Sequence, residues 1–373
     1  MVNYYSNKEI ITKELGDRRK IIYDYIFKNI QKFRPDDIYE SVMLYPGSSG
    51  KSLRPSVLLL CCGAVGGDEK TAMPAAAAVE LFHTWTLVHD DWIDRDSFRR
   101  GVPTVHSLMK EKALETYKFD QDEAEHYGGA ISMLTGDIQQ GWSIGGFMTN
   151  LSLEHSVDPV ITLNLIKKLA LEINIQIVEG ETLDVIYSKK PINEISEENI
   201  IMMLYLKTGA LYQFCGEAGA VIGLKRYEPE NEYVQSLSEF TKHCGIAFQI
   251  QDDVIGVVGN ETVVGKPRWS DIKEGKRTII LWKAYQEADS KQIKFLELIL
   301  GNQHATTEEL QSVEDLFMDL GAIDYTKELA KSYIVGDHNR SIKGALNYLD
   351  VLPDSNYKDI LKAWAYYMIE RDF

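Results

Sequence analysis

Cysteine is scarce in this chain: Cys61, Cys62, Cys215 and Cys244 are the only 4 among 373 residues. None falls in a CxxC spacing, so neither a disulfide scaffold nor a thiolate zinc site is supported. The expectation is reduced thiols in a cytoplasmic protein. Positive charge is also in deficit. Against 56 Asp and Glu stand 40 Lys and Arg, a formal net charge of −16, which argues against nucleic acid as a partner. Long uninterrupted apolar runs are missing. The most apolar stretch, Ile200 to Leu224, carries Lys207 and Glu217 and reads as a buried helix rather than an integral membrane segment. The first residues, "MVNYYSNKEIITKELGDRR", lack the apolar core of a secretory signal. No segment of any length alternates as a half-buried strand does, and no low-complexity linker divides the chain. The expected fold class is all-α: a single large helical bundle around a central cavity, one domain over 1–373. Also absent is any Ser/His/Asp or Cys/His arrangement for nucleophilic catalysis.

What is present is acid grouped with base. Asp90, Asp91 and Asp94 end an apolar run that begins near Met73, and Arg99 and Arg100 follow before a Gly-Val-Pro turn. Residues three and four apart share a helix face, so these carboxylates crowd one patch and repel unless a cation lies between them. Carboxylate oxygens together with phosphate oxygens are the donors Mg²⁺ prefers, and adjacent arginines suit phosphate. A second acidic pair, Asp252 and Asp253, again follows an apolar run and precedes the basic stretch "GKPRWSDIKEGKRT". Two such clusters facing each other across a cavity would hold a diphosphate wrapped in Mg²⁺. A third basic group, Lys51 and Arg54, opens an apolar helix at the point where backbone N–H groups attract anions. Lys207 sits among apolar residues, where a lysine either snorkels or meets an anion. Trp85 lies five residues before Asp90, roughly 7.5 Å back along a helix axis. Residues 107–127 are highly charged and read as a solvated segment with no chemistry.

Eight blocks in order carry a resemblance: "GKSLRP" (50–55), "ELFHTWTLVHDDWID" (80–94), "RRGVPTVH" (99–106), "LTGD" (134–137), "KTGALYQ" (207–213), "FQIQDDVIG" (248–256), "GKPRWSDI" (265–272) and "EGKRT" (274–278). The chain resembles the trans-isoprenyl diphosphate synthases, most of all the archaeal-type geranylgeranyl diphosphate synthases. The resemblance implies a homodimer that condenses isopentenyl diphosphate with an allylic diphosphate, using three Mg²⁺ per active site. It assigns the metal to Asp90, Asp91, Asp94, Asp252 and Asp253. It assigns isopentenyl diphosphate to Lys51, Arg54, His83 and Arg100. The allylic diphosphate or its carbocation falls to Arg99, Lys207, Thr208, Gln249, Lys266 and Lys276. Trp85 and Thr86 become the chain-length determinants, an aromatic beside a smaller neighbour, which favours a C20 product. A C15 farnesyl product stays open. Two departures from the family pattern stand out: Glu181 where Gln is usual, and Gly256 where the second motif has its third Asp. A class I terpene cyclase would leave Lys51, Arg54 and Arg100 idle, and a non-catalytic regulatory subunit would have lost an acidic motif.

Overall fold

The computed structural model describes residues 4–48, 50–259 and 268–370, with the side chains of residues 4–7 left out. It is all-helical. Among the described residues the extended pairing is one two-residue hairpin, β1 (Phe98–Arg99) against β2 (Val102–Pro103), and an isolated bridge between Asp337 and Ile342. The chain divides into two compact units, Met1–Ala170 with Glu217–Val234, and Leu171–Gly216 with Gln235–Phe373.

In the first unit, α1 (Tyr4–Asn29) buries Ile11, Leu15, Ile22 and Ile26 while Ile10 and Ile21 stay exposed, the stripe expected of an amphipathic helix. The helix α2 (Asp36–Gly47) follows Pro35. Next come α3 (Leu53–Ala64) and α4 (Glu69–Ile93), the latter capped by the Asp68 carboxylate on the Lys70 N–H at 3.0 Å. Ala75 to Ala78 are fully buried in α4, where small side chains let neighbouring helices approach. After the hairpin come α5 (Val105–Lys112) and α6 (Gln121–Gly141). The charged segment 107–127 is therefore mostly helix, and it is fastened down. Tyr117 and Tyr127 both donate to the Asp37 carboxylate, at 2.8 and 2.6 Å, and Lys112 pairs with the same residue. The expectation of a solvated helix or loop agrees with the exposure of most of the segment, Tyr117 and Phe119 included, while Met109, Ala113 and Ala124 are buried and Asp37 of α2 ties the two tyrosines down.

In the second unit, α7 (Asn174–Tyr187) and α8 (Glu197–Leu204) lead into a π-turn, Tyr205–Gly209. Ser196 caps α8 by a capping box with Asn199. The helix α9 (Ala210–Leu224) continues from the π-turn, and α10 (Glu232–Val258) carries the second acidic pair. Both α9 and α10 contribute to each unit. The C-terminal part includes α11 (Ser270–Glu274), α12 (Ile279–Glu287), α13 (Ser290–Ile299) and α14 (Thr307–Asp319). A core of Val254, Val257, Trp269, Ile272, Leu281, Leu296 and Phe317 holds these against the end of α10. All four cysteines are buried, and none is in a disulfide. No helix among the described residues is long and apolar enough to cross a membrane.

Candidate active site

The first acidic motif occupies the last turn of α4, and helix geometry splits it. Asp90 and Asp94 are one turn apart and bring carboxylate oxygens within 4.8 Å of each other. Asp91 is rotated about 100° from Asp90 and is 0 % exposed. It accepts hydrogen bonds from the Tyr45 hydroxyl and from Arg99, whose Nε lies 2.5 Å from Oδ1. Of the three carboxylates, Asp91 is the one whose oxygens meet Arg99 and Tyr45. Burial raises the Asp91 pKa, and the Arg99 guanidinium works against that rise. Arg99 also reaches Asp90 at 3.2 Å and Asp96 at 3.8 Å, and this carboxylate surround holds its pKa above the ordinary arginine range despite burial.

The basic group forms around the start of α3 in the same unit. The Arg54 guanidinium lies 3.1 Å from His83 Nε2. A guanidinium can only donate, so Nε2 accepts and the proton belongs on Nδ1. Burial, and then the charge of Arg54, push the His83 pKa well below its usual value, so the ring is neutral. Thr86 donates to the His83 carbonyl at 2.8 Å, and its hydroxyl lies 3.5 Å from Nδ1. Thr86 thus orients His83, a role beyond the one its place beside Trp85 suggested. Arg100 has a left-handed backbone, φ 53°, that turns it toward the loop at Gly50. A Cβ built on Gly50 would stand 2.6 Å from the Arg100 guanidinium, so glycine keeps the two in reach. Lys51 is exposed.

Sequence reasoning missed what sets this loop. Glu80 on α4 is 2 % exposed and accepts from the Tyr23 hydroxyl at 2.6 Å and from Ser52 at 3.1 Å. Ser52 lies between Lys51 and Arg54 and has a left-handed backbone of its own, φ 48°. The signal was available: Glu80 is the one carboxylate inside the apolar run from Ala72 to Val88.

Trp85 is buried, 4.8 Å from the Phe82 ring and 5.8 Å from the His89 ring, centroid to centroid. Its indole and the His89 imidazole lie over Gly136 of α6. A Cβ there would sit 2.8 Å from the indole and 2.1 Å from the imidazole, which accounts for glycine in "LTGD".

In the second unit, Lys207 and Thr208 lie in the π-turn, a local irregularity common at functional sites. Lys207 Nζ meets Asp184 at 2.7 Å and Glu181 at 2.8 Å, both from α7. Gly180 permits this approach, because a Cβ there would lie 2.3 Å from the Lys207 amide nitrogen. Glu181, the departure from the family's Gln, serves here as a carboxylate partner of Lys207. Thr208 donates to Gln249 Oε1 at 2.9 Å, and Gln249 Nε2 donates to Asp253 at 3.3 Å. Asp253 is 6 % exposed, and its Oδ2 is buried with no hydrogen-bond partner among the described residues. Burial, then the nearby Asp271 charge, raise its pKa well above the ordinary carboxylate value. Lys276 pairs with Glu274 at 3.1 Å and stands 4.0 Å from Asp271. Lys266 lies outside the described residues.

The donors gathered in each unit are carboxylate oxygens, and one of them, Asp253 Oδ2, is buried with no hydrogen-bond partner among the described residues. Such a set fits a hard divalent cation of the Mg²⁺ type and does not fit a soft metal, which would want thiolate or imidazole.

Comparison with known proteins agrees with this chemistry. The model of the polyprenyl synthetase family matches residues 36–317. The geranylgeranyl diphosphate synthase of Methanosarcina mazei is 33 % identical, covering 97 % of this chain and 98 % of its own length. The geranylfarnesyl diphosphate synthase of Aeropyrum pernix is 30 % identical over 94 % of this chain and 99 % of its own. The crystal structure of geranylgeranyl pyrophosphate synthetase from Pyrococcus horikoshii superposes with a TM-score of 0.81 at 30 % identity, covering 98 % of this chain and 99 % of that one. The chain belongs to the polyprenyl synthetase family. Within it, the chain is an all-helical trans-prenyltransferase.

Proposed function

We propose that this chain is a single synthase domain that condenses isopentenyl diphosphate with allylic diphosphates and releases geranylgeranyl diphosphate (C20). The observation that carries the proposal is the arrangement on α4. Neutral His83 with Arg54 stands two turns before the Asp90–Asp94 pair, so an anion site and a cation site share one rigid helix. Lys51, Arg54, His83 and Arg100 bind the isopentenyl diphosphate. Lys207, Thr208, Gln249, Lys266 and Lys276 receive the allylic diphosphate. Asp91 holds Arg99 in place for it. Asp90, Asp94, Asp252 and Asp253 would hold Mg²⁺, three ions per site. Bound Mg²⁺ supplies Lewis-acid neutralisation of the charge that develops on the leaving diphosphate. The allylic C–O bond breaks with its electron pair going to the diphosphate. The carbocation faces the Thr208 and Gln249 oxygens, whose dipoles stabilise positive charge. The isopentenyl double bond then supplies the electrons of the new C–C bond, positioned at short range by its own diphosphate clamp. The resulting cation loses a proton to the departed diphosphate, which explains the lack of a dedicated side-chain base.

The buried Trp85, backed by Phe82 and His89, supports C20 as the length at which the growing chain meets the pocket floor. A homodimer fits the side chains that α7 leaves in water: Ile175, Val178, Val185 and Ile186 are exposed at helical spacing on one face. The test is product analysis. The purified protein is incubated with Mg²⁺, isopentenyl diphosphate and, in turn, dimethylallyl, geranyl and farnesyl diphosphate, and the dephosphorylated alcohols are sized. A dominant C20 alcohol is expected. A dominant C15 or C25 alcohol would overturn the product length, and no consumption of isopentenyl diphosphate would overturn the activity.

A further inference from the structure

The second acidic motif of this chain has a glycine, Gly256, where its third carboxylate is expected. The structure shows what fills that space. A Cβ built on Gly256 would stand 3.0 Å from Oδ2 of Asp271, and among the described residues beyond its own helix the one other neighbour within 4 Å is Asp271 Cγ. The approach is built in several contacts deep. The Trp269 N–H donates to the Gly256 carbonyl at 3.0 Å, and Arg268 Nε donates to the Val257 carbonyl at 3.1 Å. Residues 268–271 are therefore laid along the last turn of α10. Glu314, 2 % exposed on α14, anchors the same segment: it accepts from Trp269 Nε1 at 2.6 Å and pairs with the Arg268 guanidinium. A side chain at position 256 would press on the Asp271 carboxylate and compete with it for this space.

We propose that Asp271 replaces the missing third carboxylate of the second acidic motif, completing the cation site of Asp252 and Asp253 over Gly256, one helical turn after Asp252. Two independent observations converge on it. One is the glycine-for-carboxylate exchange in space. The other is Asp253 Oδ2, buried and lacking a hydrogen-bond partner among the described residues, which marks a place where a cation is called for. The remaining oxygen of Asp271 stands 4.0 Å from Lys276, so the same carboxylate links the cation site to a lysine assigned to diphosphate. Glu314 then acts as a positioning residue, working through Arg268 and Trp269. The proposal rests on the prenyl diphosphate synthase reading of Asp252 and Asp253.

The test moves the carboxylate. Four full-length proteins are compared: wild type, Asp271→Asn, Gly256→Asp and the double variant Gly256→Asp/Asp271→Asn. The readout is the Mg²⁺ concentration giving half of the thermal-denaturation shift in saturating inorganic diphosphate, with melting in EDTA as the control for folding. Loss of a supporting carboxylate typically weakens metal binding about 10- to 100-fold. Asp271→Asn, which is isosteric, should raise the Mg²⁺ midpoint by about 10-fold or more with little change in EDTA. The double variant should return it to within about 3-fold of wild type. Gly256→Asp alone should bring no gain, because two carboxylates then compete for one space. An Asp271→Asn midpoint equal to wild type would overturn the proposal, and so would a double variant no better than Asp271→Asn. A wild-type protein with no Mg²⁺-dependent shift in diphosphate would instead bring down the synthase reading on which the proposal depends.

Discussion

Replacing Asp90 and Asp91 one at a time should give opposite outcomes, although the two residues are adjacent and identical. Asp91 is fully buried and shares its oxygens between Arg99 and Tyr45. Asp91→Asn leaves the Arg99 guanidinium short of its main counter-charge inside the protein, and breaking one side of a buried ion pair costs about 3–5 kcal/mol. Asp90 has a part-exposed side chain, makes a longer 3.2 Å contact with Arg99 and lies within 4.8 Å of the Asp94 carboxylate. Two like charges about 4 Å apart repel by roughly 1 kcal/mol in water and about 4 kcal/mol near a protein surface. Without cation, Asp90→Asn should therefore leave stability unchanged or raise it. Its effect should fall on turnover, lowered by orders of magnitude, and on the Mg²⁺ response. The assay is urea denaturation in EDTA beside steady-state turnover at graded Mg²⁺. Asp91→Asn should shift the urea midpoint down strongly. Asp90→Asn should keep the midpoint and lose the reaction. Wild-type stability of Asp91→Asn with loss of Mg²⁺ response alone would refute the division of the motif and return Asp91 to the metal. Near-normal turnover of Asp90→Asn would remove Asp90 from the site.

Two further outcomes are expected. Trp85→Ala opens the floor beneath the growing chain and should lengthen the product by one or more five-carbon units, read by sizing the alcohols; it should also cost about 3–5 kcal/mol of stability as a buried aromatic truncation, and an unchanged product length would remove Trp85 as the floor. His83 has a folded-state pKa well below the 6.5 of an unperturbed imidazole, so between the two values the unfolded chain binds a proton that the folded protein does not. Its contribution to stability is whole above about pH 6.5 and falls as pH drops through that window, by at most about 1.4 kcal/mol per pH unit. His83→Gln should flatten the decline of melting temperature between neutral pH and pH 5, and a slope equal to wild type would refute the neutral, buried imidazole.

Much of the fold was legible in the pattern of residues. Apolar spacing at helical period, with Gly and Pro at the breaks, is a local property that places helices without knowledge of their neighbours. The stripe of α1, the apolar run into Asp90 and the apolar run into Asp252 all became helices, with the two acidic pairs inside the last two turns of α4 and α10. The reading of 107–127 as a solvated helix or loop agrees with its exposure but left out its tie to Asp37. The two tyrosines that fasten it meet a carboxylate some eighty residues earlier, and no local window contains that partner.

The sequence by itself determined the chemistry available to this protein: acidic pairs closing apolar helices, basic residues after each, and no nucleophile. That follows because ionisable groups are costly to place at the end of buried helices unless they serve a charge or a cation. It did not determine which carboxylate does what. Asp90 and Asp91 are one letter repeated, and only the 100° step of the helix sends one to Asp94 and the other to Arg99. Glu80 could not be matched to Tyr23 and Ser52, nor Glu181 to Lys207, before the helices were packed. Gly256 reads in the chain as a lost carboxylate. The tertiary structure makes it a vacated space with Asp271 beside it, because a glycine removes the Cβ that would have crowded the Asp271 carboxylate.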